Sequence, residues 1–222
     1  LSQRSNHIWV DQALISNHGP HGVMNLYEGN VVARFQNDGY HGSKSHDTVF
    51  RNHVTGVREG ATNPRRVMDL CRGSYYHNVV GNLLGDPSWG ASYYDFPLGG
   101  TSIACMYILG FPGCDSASMD AFIAVPWVNW TKSTDRPDAD VVGTLLRHGN
   151  YDYYNKSVIW DPGIVARALP DSLYYTSKPA YFGASAWPPI GPDVPGLVSD
   201  IPAKARWNTY VISGVLDDLF RD

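Results

Sequence analysis

Apolar residues recur along the first 84 positions at fixed offsets from one polar column. Aligning VDQAL, EGNVV, FRNHV and VGNLL stacks Gln12, Asn30, Asn52 and Asn82, at intervals of 18, 22 and 30. Three positions earlier lie Trp9, Tyr27, Val49 and Val79, and two positions later lie Leu14, Val32, Val54 and Leu84. A separation of five is odd, so an unbroken strand would send the two apolar sets to opposite faces. A bend at the column returns both to one interior. Asn suits that bend, because it tolerates the left-handed conformation and its amide can satisfy nearby backbone groups or a second Asn one unit away.

This pattern predicts an all-β chain, and more specifically a right-handed parallel β-helix, a solenoid with coils of about twenty residues or more that absorb longer loops on one side. The segment GVREGATNPRR, 56–66, is then the insertion behind the interval of 30. An antiparallel β-sandwich of hairpins is the competing arrangement, and four short strands leave it open. Residues 1–84 are read as regular rungs. Residues 85–159 are further strands with long loops, where SIACMYILGF and MDAFIAVPWV are strands or partly helix. Residues 160–222 are a proline- and aromatic-rich C-terminal wrap and cap of the same domain, closing from Thr209 in a strand or short helix.

Composition supports this picture. The 222 residues allow one substantial domain, and 43% apolar with 17% charged residues places the chain among folded proteins. Nineteen of the 21 acids are Asp, and 22 Gly, 15 Pro and 14 Tyr favour turns and strands over long helices. A net charge of −4 offers no basic field for a nucleic-acid backbone, and no apolar run is long enough for a membrane span. The three cysteines include no CxxC pair, which removes zinc ribbons and thioredoxin-like chemistry. Cys105 and Cys114 flank the turn sequence GFPG and could meet in a disulfide; the alternative is that they are small buried residues.

The segment ISNHGPHGVMNLYEGNVVARFQNDGYHGSKSHDTVFRNHVTG resembles the middle rungs of bacterial extracytoplasmic right-handed β-helix proteins of the broad pectate-lyase-like superfamily. The runs LLRHGNYDYYN, LPDSLYYTSKPAYFG and AWPPIGPDV resemble their C-terminal part. The resemblance implies a secreted or cell-surface protein facing polysaccharide. It carries fold better than activity. The chain starts at Leu1 directly in the strand-like HIWVDQALIS, so the face ahead of the first rung is expected to be covered by upstream sequence, another chain or a second copy of this one, and the isolated chain to self-associate.

Candidate chemistry concentrates early. Six of eight histidines (His7, His18, His21, His41, His46 and His53) precede residue 54, with Asp38, Lys44, Asp47 and Arg51 among them. Rungs stacking at about 4.8 Å bring residues one coil apart side by side. Asp38, His41, Lys44, His46, Asp47 and Arg51 are the catalytic candidates, and His18, His21 and Tyr40 the substrate-binding ones. A polysaccharide lyase needs a cation, a side chain or calcium, to neutralise a uronate and a base to take its α-proton. Lys44, Arg51 or a histidine could act there, with Asp38 and Asp47 as calcium ligands. A glycoside hydrolase needs two carboxyls about 5–10 Å apart, from Asp38, Asp47 and Glu28. HGPH supplies two imidazoles for a metal. Each residue also has a plain structural reading: histidines bonding neighbouring rungs, Glu28 accepting loop amides, Arg51 and Asp47 forming a surface ion pair, Lys44 solvated in a small-residue turn. Trp89, Tyr93, Tyr94, Tyr151, Tyr153, Tyr154, Tyr174, Tyr175, Tyr181 and Trp187 either stack on sugars or pin the wrap. The expected function is therefore carbohydrate-active or carbohydrate-binding, against the alternative of a non-catalytic structural or adhesive component of a surface fibre or assembly.

Overall fold

The computed structural model describes residues 14–16, 21–37, 43–57, 66–71, 73–88, 91, 93–95, 104–110 and 138–213. Within them the chain repeats one circuit of short strands. β1 (Leu14–Ile15), β2 (Gly22–Val23), β3 (Leu26–Glu28) and β4 (Val31–Val32) make the first. β5 (Phe35–Asn37), β6 (Lys44–Ser45), β7 (Thr48–Phe50) and β8 (His53–Val54) make the second. β9 (Arg66–Leu70), β10 (Ser74–Tyr75), β11 (Asn78–Val80) and β12 (Leu83–Leu84) make the third. Then come β13 (Tyr93–Asp95), β14 (Cys105–Leu109), the short helix α1 (Ala139–Thr144), β15 (Leu146–His148), β16 (Asn150–Asp152) and β17 (Ser157–Ile159).

Equivalent strands of successive circuits pair in parallel, giving four sheets: β1-β5-β9-β14-β13, β2-β6-β10, β3-β7-β11-β15 and β4-β8-β12-β16-β17. Among the described strands only β16 and β17 pair antiparallel, so the hairpin sandwich is excluded for these segments. Register stacks like on like: Tyr27, Val49 and Val79 align across the third sheet, and Val32, Val54 and Leu84 across the fourth. Val49, Val54, Val79 and Leu84 are fully buried, and Leu14, Tyr27 and Val32 pack on the same core beside Phe35, Met68 and Tyr107. Trp9 and Gln12 fall outside the described residues, as does all of the expected first rung ahead of Leu14.

The bend that brings both apolar sets inward has two parts. First, the corner between the third and fourth sheets holds Gly29, Arg51, Gly81 and Gly149 at φ of 72°, 50°, 66° and 65°. Next in sequence, Asn30, Asn52, Asn82 and Asn150 turn into the interior. Each of the first three sends its backbone N–H and its side-chain Nδ2 to the Oδ1 of the Asn one circuit on, at 2.8–3.1 Å. The amides of Asn52, Asn82 and Asn150 also donate to Tyr27 O, Val49 O and Val79 O. Asn150 was not part of the expected column, because the chain detours 68 residues before returning to it.

Beyond β17, residues 160–200 run without regular strands apart from a short 3₁₀ turn, Ala180–Phe182. The C-terminal helix α2 (Pro202–Ser213) starts before Thr209, where the sequence reading placed the closing element. Proline is favoured at the first helical position, whose N–H has no intrahelical partner in any case. Cys71 and Cys105 are buried; Cys114, and with it the disulfide weighed between Cys105 and Cys114, lies outside the described residues. No helix among the described residues is long and apolar enough to cross a membrane.

Removing a buried ladder amide strands several partners at once, each worth about 1–3 kcal/mol when left unsatisfied. Asn82→Ala should therefore lower the unfolding free energy by about 3 kcal/mol or more, whereas half-buried Asn30→Ala, at the end of the ladder, should cost about 1 kcal/mol. Urea denaturation of both variants checks this order, and equal losses would contradict it.

Candidate functional site

The expected catalytic cluster divides by the direction each side chain takes at a corner. Lys44, Asp47 and Arg51 are buried, at 0%, 0% and 1% exposure. The segment GSKSH is not a solvated turn around Lys44, because β6 is a central strand paired on both sides, with Lys44 aligned to Gly22 and Ser74. Arg51 and Asp47 do not pair with each other on the surface either. His21 and His46 are exposed, while His18, Asp38, Tyr40 and His41 lie outside the described residues.

Asp47 is a ladder residue of the corner between the second and third sheets. That corner repeats the Asn design with other residues: Met24, His46 and Tyr76 sit at φ of 60°, 58° and 59°, and Asn25, Asp47 and His77 follow them. Asn25 donates its backbone N–H and Nδ2 to Asp47 Oδ1, both at 2.9 Å, and Ser16 Oγ donates to Asp47 Oδ2. Asp47 N–H in turn donates to His77 Nδ1 at 3.2 Å. Asp47 therefore spends its carboxylate inside the fold. The intervals of 22 and 30 separating Asn25, Asp47 and His77 equal those separating Asn30, Asn52 and Asn82, a second column that the sequence held and the Asn alignment overshadowed.

The residues preceding the ladder point outward. His46 stacks on Tyr76 with ring centroids 4.9 Å apart and planes 19° from parallel. His21 Nδ1 lies 2.8 Å from Ser43 Oγ, and its Nε2 lies 2.8 Å from Ser45 Oγ. His46 Nδ1 is also 2.8 Å from Ser45 Oγ.

Arg51 occupies the corner where three of the four equivalent residues are glycine. Its side chain leaves the corner to clamp the wrap: Nη1 and Nη2 form a bidentate pair with Asp193, each at 2.8 Å. Nε and Nη1 also donate to Pro170 O and Ile190 O. Gly191 makes room for this, since a Cβ there would stand 2.1 Å from Arg51 Nη1. Arg51 holds the Asp193 carboxyl below the usual carboxylate range. One circuit earlier Glu28 fastens the wrap a second time, accepting from Ser172 Oγ and from Leu173 N–H at 2.9 Å. Ser172 Oγ itself accepts from Tyr174 N–H and Tyr175 N–H. The structural reading of Glu28, an acceptor for loop amides, matches this arrangement.

These two anchors present an aromatic groove of about 760 Å³ between the corner at Gly29, the 3₁₀ turn and α2. Tyr181, Phe182, Trp207, Tyr210 and Arg206 line it. Tyr181 is 63% exposed, Trp207 43% and Tyr210 39%. Tyr175 and Trp187 continue the cluster, with Trp187 packed edge-on to Phe182 at 4.8 Å. Of the aromatics weighed in the sequence, Tyr93, Tyr154, Tyr174, Tyr175 and Tyr181 are exposed and available for stacking, whereas Tyr94 and Tyr153 pack on the core. Arg206, Trp207 and Tyr210 were missed, although with Ala203 their spacing marks one face of a helix. The arrangement offers flat apolar faces with a cation at the rim. Among the described residues no three His, Cys, Asp or Glu side chains converge as a metal-binding group. No family model, curated protein or solved structure matches the chain.

Arg51→Met should lower stability by about 1–3 kcal/mol and accelerate amide exchange selectively in residues 169–194, leaving strands β7 and β11 slow. Arg51→Lys should rescue little, since a lysine lacks the fork that meets a carboxylate and carbonyls together. Exchange measured by mass spectrometry decides, and a uniform acceleration would contradict a local clamp.

Burial depresses the His77 pKa from 6.5 to about 4, against the opposing pull of the Asp47 carboxylate 3.8 Å away. Burial lowers that of His53 as well. The unfolded chain then binds these protons at higher pH than the folded one. Stability is complete above the unfolded value and declines as pH falls from about 6.5 towards 4. Urea midpoints compared at pH ~7 and pH ~4.5 should show the loss, and equal midpoints would remove the two histidines from the balance.

Proposed function

We propose that this protein is a secreted or cell-surface right-handed parallel β-helix of the pectate-lyase-like kind that binds polysaccharide. The recurring circuit through four parallel sheets with inward ladders supports the fold. The aromatic groove carries the function. Extended glycans present alternating C–H faces and hydroxyls, which suit a trough of exposed aromatic rings. Tyr181, Trp207 and Tyr210 supply the rings, and Arg206 supplies charge-assisted hydrogen bonds to hydroxyl or carboxylate groups.

Binding is favoured over cleavage because Lys44, Asp47 and Arg51 are buried and engaged in the fold. Neither a lyase base nor a paired-carboxylate hydrolase is assembled from them. A glycan array probed with the full chain, together with assays for unsaturated products and for new reducing ends, separates the readings. Binding to extended polysaccharide without either product is expected, falling about tenfold or more in Trp207→Ala and in Tyr181→Ala. Unsaturated products or new reducing ends would indicate a lyase or a hydrolase instead. Absence of binding to any glycan would leave the structural or adhesive role in a surface assembly.

A further inference from the structure

The outer face of the corner between the second and third sheets carries a second pair of groups that the groove does not use. β2 and β6 are parallel neighbours with Gly22 aligned to Lys44 and Val23 to Ser45. His21 immediately precedes β2 and His46 immediately follows β6. The two imidazoles thus reach one point from adjacent circuits: His21 Nε2 and His46 Nδ1 both stand 2.8 Å from Ser45 Oγ. We propose that His21 and His46 form a surface site for a divalent transition-metal ion of the copper, zinc or nickel type.

Three observations carry this. The approach is close: each nitrogen stands 2.8 Å from the same oxygen, so the two are at most about 5.6 Å apart, and rotations that carry each ring about 1 Å towards the other, clear of the Ser45 side chain, bring both to the roughly 2.0–2.1 Å length of a metal–imidazole bond. His21 is oriented from behind: its Nδ1 lies 2.8 Å from Ser43 Oγ, and the tautomer that donates there leaves the Nε2 lone pair on the side facing Ser45 and His46, the outer hydrogen bond that metal-bound histidines commonly make. His46 is held outward by a backbone at φ 58°, a conformation disfavoured for residues with a Cβ, and by stacking on Tyr76. Glycine would relieve that backbone but could not deliver an imidazole.

Ligand chemistry sets the class of ion. Two neutral nitrogens suit copper, zinc and nickel, with copper the tightest, and the exposed position leaves the remaining coordination sites to water. Calcium and magnesium require oxygen ligands. The adjacent carboxylate, Asp47, is turned inward to Asn25 and Ser16. The histidines at 53, 77 and 148 are buried.

The test is calorimetric titration of the full chain with copper(II) and zinc(II) chloride, with electron paramagnetic resonance of the copper form to detect nitrogen ligands. Nitrogen coupling is expected, with affinity about tenfold or more weaker in both His21→Ala and His46→Ala. Ser45→Ala should bind as tightly as the parent or more tightly, because no hydroxyl has to be displaced. His46→Asn, which tolerates the left-handed backbone, replaces His46→Ala if the latter fails to give the parent's circular dichroism and melting profile. Unchanged copper affinity in either histidine variant overturns the proposal. So does a Ser45→Ala loss equal to theirs, or displacement of copper by calcium.

Discussion

Every corner between the third and fourth sheets depends on one hydrogen-bond pattern: the backbone N–H and side-chain amide of one Asn both donate to the side-chain oxygen of the next. A chain that folds into short strands must turn several times per circuit, and each turn takes backbone groups out of the ladder into a dry interior where an unmade hydrogen bond is expensive. An Asn amide has an acceptor and two donors in fixed relation. Asn52 and Asn82 therefore satisfy the circuit before, the circuit after and a carbonyl of their own sheet at once. The ladder also fixes register, because a slip of one residue would turn every Asn outward and every adjoining Val or Leu with it.

The residue preceding each ladder position has the opposite role. It adopts the left-handed conformation and its side chain points away from the core, so glycine is the least strained choice. Gly29, Gly81 and Gly149 follow that choice, and the ring of Trp160 lies where a Cβ at Gly149 would be, 2.6 Å from it. Arg51 departs from it at a cost of roughly 1–2 kcal/mol, offset by the bidentate pair with Asp193 and the carbonyls of Pro170 and Ile190. Met24, His46 and Tyr76 depart at the other corner. Exceptions to glycine in a corner column thus mark side chains that the fold projects outward, onto the wrap at Arg51 and into solvent at Met24, His46 and Tyr76.

The parallel stacking of the early strands was legible because apolar residues sat at constant offsets from the polar column; Tyr27, Val49 and Val79, like Val32, Val54 and Leu84, stack as the spacing requires. Asn150 was not legible, since the detour before it hides the periodicity. The site was harder to read for a physical reason. Density of titratable residues in a sequence does not distinguish a ladder position from the position before it, and at a corner one step decides between core and solvent. His46 and Asp47 are neighbours in sequence, yet one stacks on an exposed Tyr76 and the other is sealed against Asn25, Ser16 and His77. The groove escaped for a different reason: its rings come from the 3₁₀ turn and from α2, brought together by contacts 142–145 residues apart in sequence, between Arg51 and Asp193 and between Glu28 and the 172–173 turn.

Those long-range contacts link the two halves of the molecule more closely than the irregular course of residues 160–200 suggests. A segment without strands gains little from cooperative backbone pairing, and this one leaves Leu173, Tyr174 and Tyr181 largely exposed, so apolar burial alone holds it weakly. Position must then come from directional bonds, and the rigid stack supplies them where its corner side chains project: a guanidinium fork from the second circuit and a carboxylate from the first. One cation and one anion, on adjacent circuits of the same edge, grip the wrap at Pro170, Ser172 and Leu173, and the cation holds it again at Ile190 and Asp193. The residues first suspected of chemistry thus include the ones that place the aromatic groove, and their influence on any ligand there passes through geometry rather than through contact.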